Sequence, residues 1–189
     1  MKYRFLLLWW VLLLLLAGAA PRAHAQRFTL GTNVVDWLSL GTLNAEASVA
    51  VAQKCSVHVG AELNPWTWMS SQAEKQFQCR QQSYWAGVRW WPWHVYSGWW
   101  AGADGRWSEY NWGGIVRRET EEGDAWGAGL YGGYAIMMSG KWNLDLGVGF
   151  WGGWKKYTTY ACPRCGVILE EGQKAFIVPD ARIALQWIF

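Results

Sequence analysis

The chain has 189 residues, of which 52% are hydrophobic, 17% aromatic and 16% charged, and its formal net charge is +3. Three of its 17 basic residues, Lys2, Arg4 and Arg22, precede the cleavage site predicted below, so 14 basic residues balance 14 acidic ones in the remainder. This balance gives no electrostatic reason to expect a nucleic-acid partner. No apolar run after residue 25 is long enough for a transmembrane helix, which excludes a helical membrane protein.

The N-terminus has the three parts of a secretory signal peptide. Two basic residues precede an apolar run from Phe5 to Ala20, and Ala23-His24-Ala25 is a small-x-small cleavage site. The alternative is a permanent membrane helix, for which a run of sixteen residues is slightly short. We expect cleavage after Ala25, so that residues 1–25 are the signal peptide and residues 26–189 form one domain.

Eight segments in which polar and apolar residues alternate follow, with the period of two that is typical of β-strands. They cover residues 27–38, 42–52, 55–64, 82–91, 97–108, 124–137, 141–154 and 176–189. Segments of about ten residues are longer than the usual strand of a soluble protein and match a tilted transmembrane strand. Backbone groups in lipid must all be paired, so such a sheet must close. The sequence therefore predicts an all-β fold, an eight-stranded antiparallel up-and-down transmembrane β-barrel.

The connections between these segments differ in length. The short ones are 52–54, 92–96 and 138–140, and the long ones are 65–81, 109–123 and 155–175. Outer-membrane barrels have short turns at the periplasmic rim and long loops at the extracellular rim. The first connection, 39–41, is short and departs from this pattern. We expect the three long connections to be extracellular loops.

The last segment alternates until the chain ends. Ile183, Leu185, Trp187 and Phe189 fall on one face of this strand. An amphipathic strand that ends in an aromatic residue resembles the C-terminal signal of bacterial outer-membrane barrels. We therefore expect an outer-membrane location, with membrane lipid and, through the strand ending at Phe189, the barrel-assembly machinery as partners.

Sixteen of the 18 tryptophans follow residue 25, and they cluster where the predicted strands end. Indole combines an apolar body with an N–H group, so it settles at the headgroup level of a membrane. We predict two aromatic girdles that contain Trp66, Trp68, Trp90, Trp91, Trp93, Trp99, Trp107, Trp142, Trp151, Trp154 and Trp187. The alternative is a soluble periplasmic Trp-rich sugar-binding β-barrel, because indole also stacks on sugars.

The alternation also predicts which polar side chains face the barrel interior. This interior polar network contains Glu46, His58, Glu62, Arg89, Asp104, Arg106, Asp145 and Arg182, together with Asn44, Asn64 and Asn143. An eight-stranded barrel is only wide enough for its own side chains, and unpaired buried charges are costly. We therefore expect ion pairs and hydrogen bonds to fill the interior as a plug. The glycine-rich strands suit such a barrel, because its inner face leaves little room for side chains. A narrow pore is the alternative.

Some small barrels are enzymes that modify lipid A with a Ser, a His and an acid at the outer lipid face. After residue 25 the sequence has only two histidines. His94 falls in a predicted inner turn, and His58 alternates inward near Glu62. A triad needs its three groups within hydrogen-bond reach, and the pattern places no outward Ser beside either histidine. We expect no enzymatic activity and no cofactor, and a lipid A-modifying enzyme remains an alternative.

The sequence Cys162-Pro163-Arg164-Cys165 lies in the last predicted loop. A CxxC motif can be a metal half-site, a redox pair or a local disulfide. Zinc needs four ligands, and although Cys79 could be a third, the predicted loops contain no His. Cys55 lies roughly 20 Å away at the other rim, too far for a disulfide, which needs Cα atoms within about 7 Å. We expect Cys162 and Cys165 to be a loop disulfide or a thiol pair.

Several short motifs carry a family resemblance. They are Asn64-Pro65-Trp66, Arg89-Trp90-Trp91, Gly129–Tyr134 followed by Lys141-Trp142-Asn143-Leu144, and Lys156-Tyr157 leading into Cys162-x-x-Cys165-Gly166. Together they resemble a family of small outer-membrane proteins, a domain of unknown function from anaerobic gut bacteria, over about residues 27–189. The resemblance implies an eight-stranded barrel, an accessory role in surface fimbriae or envelope structure, and no catalytic residues.

These observations together predict a non-enzymatic outer-membrane protein with an envelope structural or adhesion role. Its long loops would contact a surface protein or a glycan.

Overall fold

A computed structural model describes residues 28–69, 76–115 and 118–189 of the chain. The elements are β1 (Phe28–Asn33), α1 (Val34–Leu38), β2 (Leu43–Ala52), β3 (Cys55–Asn64), β4 (Thr67–Trp68), β5 (Phe77–Trp90), β6 (Gly98–Gly113), β7 (Thr120–Ser139), β8 (Trp142–Tyr160) and β9 (Ile168–Ile188). The predicted signal peptide, residues 1–25, lies outside the described residues. In the described ranges, no helix has the length and apolar character needed to cross a membrane.

The strands form one antiparallel sheet that closes into a ring. Their order is β3-β2-β1-β9-β8-β7-β6-β5-β4, and β3 also pairs with β5. The first and last strands meet where residues 29–33 lie opposite residues 184–188. The predicted all-β antiparallel fold is confirmed. The predicted number of eight strands is wrong for the described residues, because the two-residue β4 pairs with β5 as a ninth strand.

The strands extend further at one end of the ring than the sequence predicts. β7, β8 and β9 have 20, 19 and 21 residues. Much of the predicted loops 65–81, 109–123 and 155–175 is therefore strand, which corrects their boundaries. The strands are separated there by residues 69–76, 114–119 and 161–167. On β7 and β8 the outward residues of these extensions are polar, so the hydrophobic alternation stops although the backbone pairing continues.

The first predicted strand, 27–38, is also shorter in the structure. β1 ends at Asn33. The Asn33 side chain, and no longer the backbone, makes the next hydrogen bonds to β9. The Ile183 N–H donates to Asn33 Oδ1 at 2.9 Å, and Asn33 Nδ2 donates to a carbonyl oxygen of β9 at 3.4 Å. The same Oδ1 accepts the Val35 N–H at 3.3 Å and caps α1. This local capping overrides the strand preference of the valines in α1.

The Asn64-Pro65-Trp66 sequence holds two connections together at the end of the ring with the longer connections. Asn64 is buried, and its Nδ2 donates to Thr42 Oγ1 at 3.0 Å. Trp66 Nε1 donates to the carbonyl oxygen of Gly41 at 3.1 Å. These bonds fix residues 39–42, which follow α1, against the end of β3.

The opposite end of the ring, where the turns are short, has a packed interior in which buried polar side chains such as Ser56 and Asn143 surround an apolar core. Its buried core consists of Trp91, Val95, Tyr96, Trp100, Ala135 and Ile188. Glycines make room for the largest of these side chains. A Cβ on Gly133 would lie 2.6 Å from the Trp100 ring, and one on Gly147 would lie 2.9 Å from it. The indole therefore lies flat against β7 and β8, and the core fills this end of the ring.

Candidate functional site

Four charged side chains from four different strands meet in the middle of the ring. Arg182 donates to both oxygens of Glu46 at 2.7 and 2.8 Å, and its Nε donates to Asp145 Oδ2 at 2.9 Å. Arg89 lies 2.8 Å from Glu46 and 3.5 Å from Asp145. Glu46, Arg89 and Asp145 are buried. Two guanidinium groups thus neutralise two carboxylates, which is the condition for keeping them inside the protein. We call these four residues the ion-pair cluster.

A cavity of about 530 Å³ lies inside the ring next to the ion-pair cluster. It extends to Trp112 and Ile115, which are exposed at the end of the ring with the longer connections. Its aromatic lining residues are Trp85, Trp100, Tyr110, Trp112, Tyr131, Trp151 and Phe176. α1 contributes Asp36 to the wall. The ring interior is therefore filled at one end and hollow at the other.

Arg106 projects into the cavity among three aromatic rings. Its Cζ lies 5.1 Å from the ring centroid of Trp85, 5.3 Å from that of Trp151 and 6.0 Å from that of Tyr131. Its Nη2 lies 3.1 Å from Asp180 Oδ2 and donates to the Tyr131 hydroxyl at 3.2 Å. Within the described part of the chain, its buried Nε has no hydrogen-bond partner. Stacking and a single ion pair hold this guanidinium in place.

His58 and Asp104 face each other from β3 and β6. His58 Nε2 lies 3.9 Å from Asp104 Oδ2, and both side chains are buried. His58 Nδ1 and Asp104 Oδ1 find no hydrogen-bond partner among the residues that the structure describes. Ser48 lies opposite His58 in the β2–β3 register, but its hydroxyl is 3.3 Å from that of Tyr96. No hydrogen-bonded Ser–His–Asp relay joins these three residues.

Carboxylates outnumber cations along the part of the wall outside the ion-pair cluster. The carboxylates there are Asp36, Glu62, Asp104 and Asp180. Of the described Lys and Arg residues on the wall, Arg89 and Arg182 belong to the cluster, and Lys155 pairs with Glu121. Arg106 is then the remaining arginine on the wall, and it faces four acidic side chains. Burial, together with the negative charges of Glu62 and Asp180, raises the pKa of Asp36 to about 7.

All eight residues of the predicted interior polar network point into the ring. Glu46, Arg89, Asp145 and Arg182 form the ion-pair cluster, and His58, Glu62, Asp104 and Arg106 line the cavity. Asn44, Asn64 and Asn143 also face inward, with Asn64 and Asn143 buried. The expectation that side chains fill the whole interior is wrong at one end. Gly102, on the inner face of β6, is part of the cavity wall and has no side chain to fill it.

The predicted interior polar network lacks two acidic residues of the site, Asp180 and Asp36, for different reasons. Asp180 could have been found, because it lies two positions before Arg182 in the same alternating segment. Asp36 gave no such signal, because it lies in a helix where the sequence predicts a strand. The negative character of the cavity therefore became apparent only with the fold.

Nine of the eleven predicted girdle tryptophans are exposed on the ring or its connections. They are Trp66, Trp68, Trp90, Trp93, Trp99, Trp107, Trp142, Trp154 and Trp187. The girdle prediction is wrong for Trp91 and Trp151, which lie on the inner face of the ring. Trp91 is fully buried and donates from Nε1 to Ser56 Oγ at 3.1 Å, because the alternation that places Arg89 inside the ring continues to position 91. Trp151 shares the inner face of β8 with Gly149 and lines the cavity.

The exposed aromatic side chains form a row across four neighbouring strands. Tyr84, Trp107, Trp126 and Trp154 lie opposite one another in the registers of β5 to β8. The Tyr84 and Trp107 rings stack at 5.9 Å. We call these four residues the aromatic row.

A second aromatic group lies near the short turns. Its ring contacts are Trp99–Tyr134 at 5.1 Å, Trp142–Trp187 at 5.3 Å and Phe28–Phe189 at 5.6 Å. Between this group and the aromatic row the outer face is apolar, with exposed Val59, Val88, Leu130, Val148, Phe150 and Ile183. Leu130 and Val148 are each 70% exposed. Such exposure of aliphatic side chains is unusual for a surface in water.

Beyond the aromatic row the outer face of β5 to β9 becomes polar at the next outward position of each strand. The residues that follow it, in register across β5 to β9, are Gln82, Glu109, Asp124, Lys156 and Gln173. Gln82 Nε2 donates to Glu109 Oε2 at 2.5 Å across the strands. The apolar surface thus has a sharp boundary that runs across β5 to β9.

The cysteines fall into two kinds. Cys162 and Cys165 form a disulfide in the connection between β8 and β9, with Cα atoms 5.5 Å apart. Cys55 and Cys79 are free thiols. In the ranges that the structure covers, no group of three or more His, Cys, Asp or Glu side chains is arranged to hold a metal ion.

The molecule is thus an all-β protein whose antiparallel strands close into a ring around a charged interior. Residues 10–189 match the family described as "Protein of unknown function (DUF3575)", and the chain belongs to this family. The resemblance to a domain of unknown function is confirmed by this match. No curated protein matches the sequence.

Proposed function

We propose that the protein is a non-enzymatic transmembrane β-barrel of the bacterial outer membrane that contacts a partner at the cell surface. The observation that carries this proposal is the exposed apolar face between the aromatic row and the second aromatic group. Aliphatic side chains that are 70% exposed are unfavourable in water and favourable in lipid. Because the ring closes, most backbone groups of the strands are paired within the sheet, as a membrane requires.

The dimensions of the apolar face support this proposal. Trp126 and Tyr134 on β7 are eight residues apart and belong to the two aromatic sets. At about 3.4 Å per residue, eight residues span roughly 27 Å along the strand. A strand tilt of 35–45° reduces this to roughly 20 Å across the membrane, close to the band of about 25 Å that is typical of such barrels.

The strand extensions beyond the aromatic row would then stand outside the membrane. Their outer faces carry Glu109, Asp124 and Lys156, which a lipid interior would not accept. They offer a polar surface to a protein or a glycan. The Cys162–Cys165 disulfide agrees with an oxidising compartment outside the cytoplasm. The other partners in this proposal are membrane lipid and the barrel-assembly machinery.

Epitope accessibility in intact cells tests both the location and the orientation. One variant carries a short epitope after Gly166, in the connection between β8 and β9, and a matched control carries it after Gly140, in a short turn. We expect antibody to label intact cells only with the first variant, and both variants after permeabilisation. Labelling of neither in intact cells, with release of both in the periplasmic fraction, would contradict the proposal.

A further inference from the structure

We propose that the cavity inside the ring is a binding site for a small organic cation, an amine or amidine with an apolar body. The proposal depends on the fold and the cavity lining, and not on the surface role of the loops. The combination of aromatic walls, an excess of carboxylates and the unpartnered buried acceptor of Asp104 leads to it.

The aromatic walls provide the first argument. Rings attract cations through the negative face of the π-system, and an apolar body gains by leaving water. The guanidinium of Arg106 already uses this attraction, since it lies within 6.0 Å of three ring centroids. Phe176 and Trp151, whose centroids are 4.6 Å apart, provide a further aromatic corner of the wall.

Charge provides the second argument. Asp36, Glu62, Asp104 and Asp180 line the cavity with Arg106 as the cation among them, and Arg106 is engaged by Asp180 and Tyr131. A cationic ligand would reduce the repulsion among the acids. An anionic ligand would meet the carboxylates of Glu62, Asp104 and Asp180 and would have to take Arg106 from Asp180. The site therefore favours positive charge.

The third argument comes from a buried acceptor atom that lacks a partner. Asp104 is 8% exposed, and its Oδ1 has no hydrogen-bond partner among the described residues, although it lines the cavity. An unpaired buried acceptor typically costs about 1–3 kcal/mol. An N–H donor of a bound ammonium or amidinium group would satisfy it. The volume of about 530 Å³ lies within the usual range for small-molecule sites.

The test uses the full-length protein folded in a non-ionic detergent and three probes of similar shape. They are 2-phenylethylammonium, the neutral 2-phenylethanol and the anionic 3-phenylpropanoate. Binding is followed by calorimetry and by tryptophan fluorescence, and detergent without protein is titrated in parallel. We expect the cation to bind at least tenfold more tightly than the alcohol, and the anion more weakly than either. Equal binding of cation and alcohol, or no binding of the cation, would overturn the proposal.

Variants locate the binding. Glu62→Gln and Asp180→Asn each remove one charge from the wall and are expected to weaken cation binding about fivefold or more, while binding of the alcohol changes little. Asp124→Asn, on the outer face, is the matched control and is expected to change neither. Each variant is first checked for folding by the shift of its gel band on boiling. Because there are two wall variants, the test still gives a result if one of them fails to fold. Unchanged cation affinity in a folded wall variant, or an equal loss in Asp124→Asn, would contradict a site in this cavity.

Discussion

Arg182 and Glu46 form a two-pronged ion pair, with N–O distances of 2.7 and 2.8 Å, although 136 residues separate them in the chain. They lie on β9 and β2, the two strands that flank β1 in the ring. β1 has only six residues, so it pairs with each neighbour over a short length. The ion pair therefore ties the two neighbours of β1 together across the ring closure.

Replacing Arg182 tests this role. In Arg182→Met the buried carboxylates Glu46 and Asp145 share the single guanidinium of Arg89, so we expect unfolding to become easier by about 3–5 kcal/mol. The urea dependence of the folded gel band measures the change. Arg80→Met, an exposed outer-face position, is the control and should shift the transition little. Equal midpoints for the two variants would show that the ion pair does not hold the ring closure.

The glycines beneath Trp100 permit a second prediction. A Cβ on Gly133 would lie 2.2 Å from the Leu146 carbonyl oxygen as well as against the Trp100 ring, whereas one on Gly105 would meet nothing within 4 Å. We expect Gly133→Val to lower the free energy of unfolding by about 1–3 kcal/mol or to prevent assembly, because the core would be overpacked. Gly105→Val should assemble normally. The yield of folded protein after refolding into detergent distinguishes the two, and similar yields would refute the proposed packing.

The alternation of polar and apolar residues predicted the sheet and most of its inner face. It does so because polar residues are placed on the face that does not belong to the apolar exterior. Glu46 and Arg182 stand out in that pattern, since each lies between outward apolar residues. The pattern failed where the outer face is itself polar, as at Glu109 and Lys156, because alternation between two polar faces carries no signal.

The structure also differs from the sequence prediction at the end of β1 and in the cavity. The end of β1 depends on the Asn33 side chain, which both pairs with β9 and caps α1. A single sequence does not show which of these partners comes within reach. The cavity wall includes Gly102, which has no side chain, and its carboxylates come from elements as distant as α1 and β9. Its negative character thus follows from the assembled ring.

The raised pKa of Asp36 predicts a pH dependence. Its pKa rises from 3.8 to about 7 on folding, mainly through burial and also through Glu62 and Asp180. The folded state therefore holds the proton more tightly than the unfolded state, and the contribution to stability is complete below about pH 4 and is lost as the pH rises towards 7. Asp36→Asn should remove this part of the slope. Urea midpoints between about pH 5 and pH 8 give the comparison, and identical slopes for both proteins would contradict it.

The disulfide predicts a specific labelling pattern. The chain has four cysteines, of which Cys55 and Cys79 are free thiols and Cys162 and Cys165 are joined. We expect the denatured, unreduced protein to take up two alkyl groups and the reduced protein to take up four. Mass spectrometry of the alkylated protein counts them. Four groups without reductant would mean that the pair is a dithiol in the cell.

The most direct test of the account is the gel migration of the protein from a purified outer-membrane fraction, with and without boiling in detergent. A closed transmembrane ring resists the detergent until it is heated, so its apparent size changes on boiling. We predict that the protein is found in this fraction and that its band shifts. A periplasmic protein whose band does not move would contradict the assignment of the exposed apolar face to lipid.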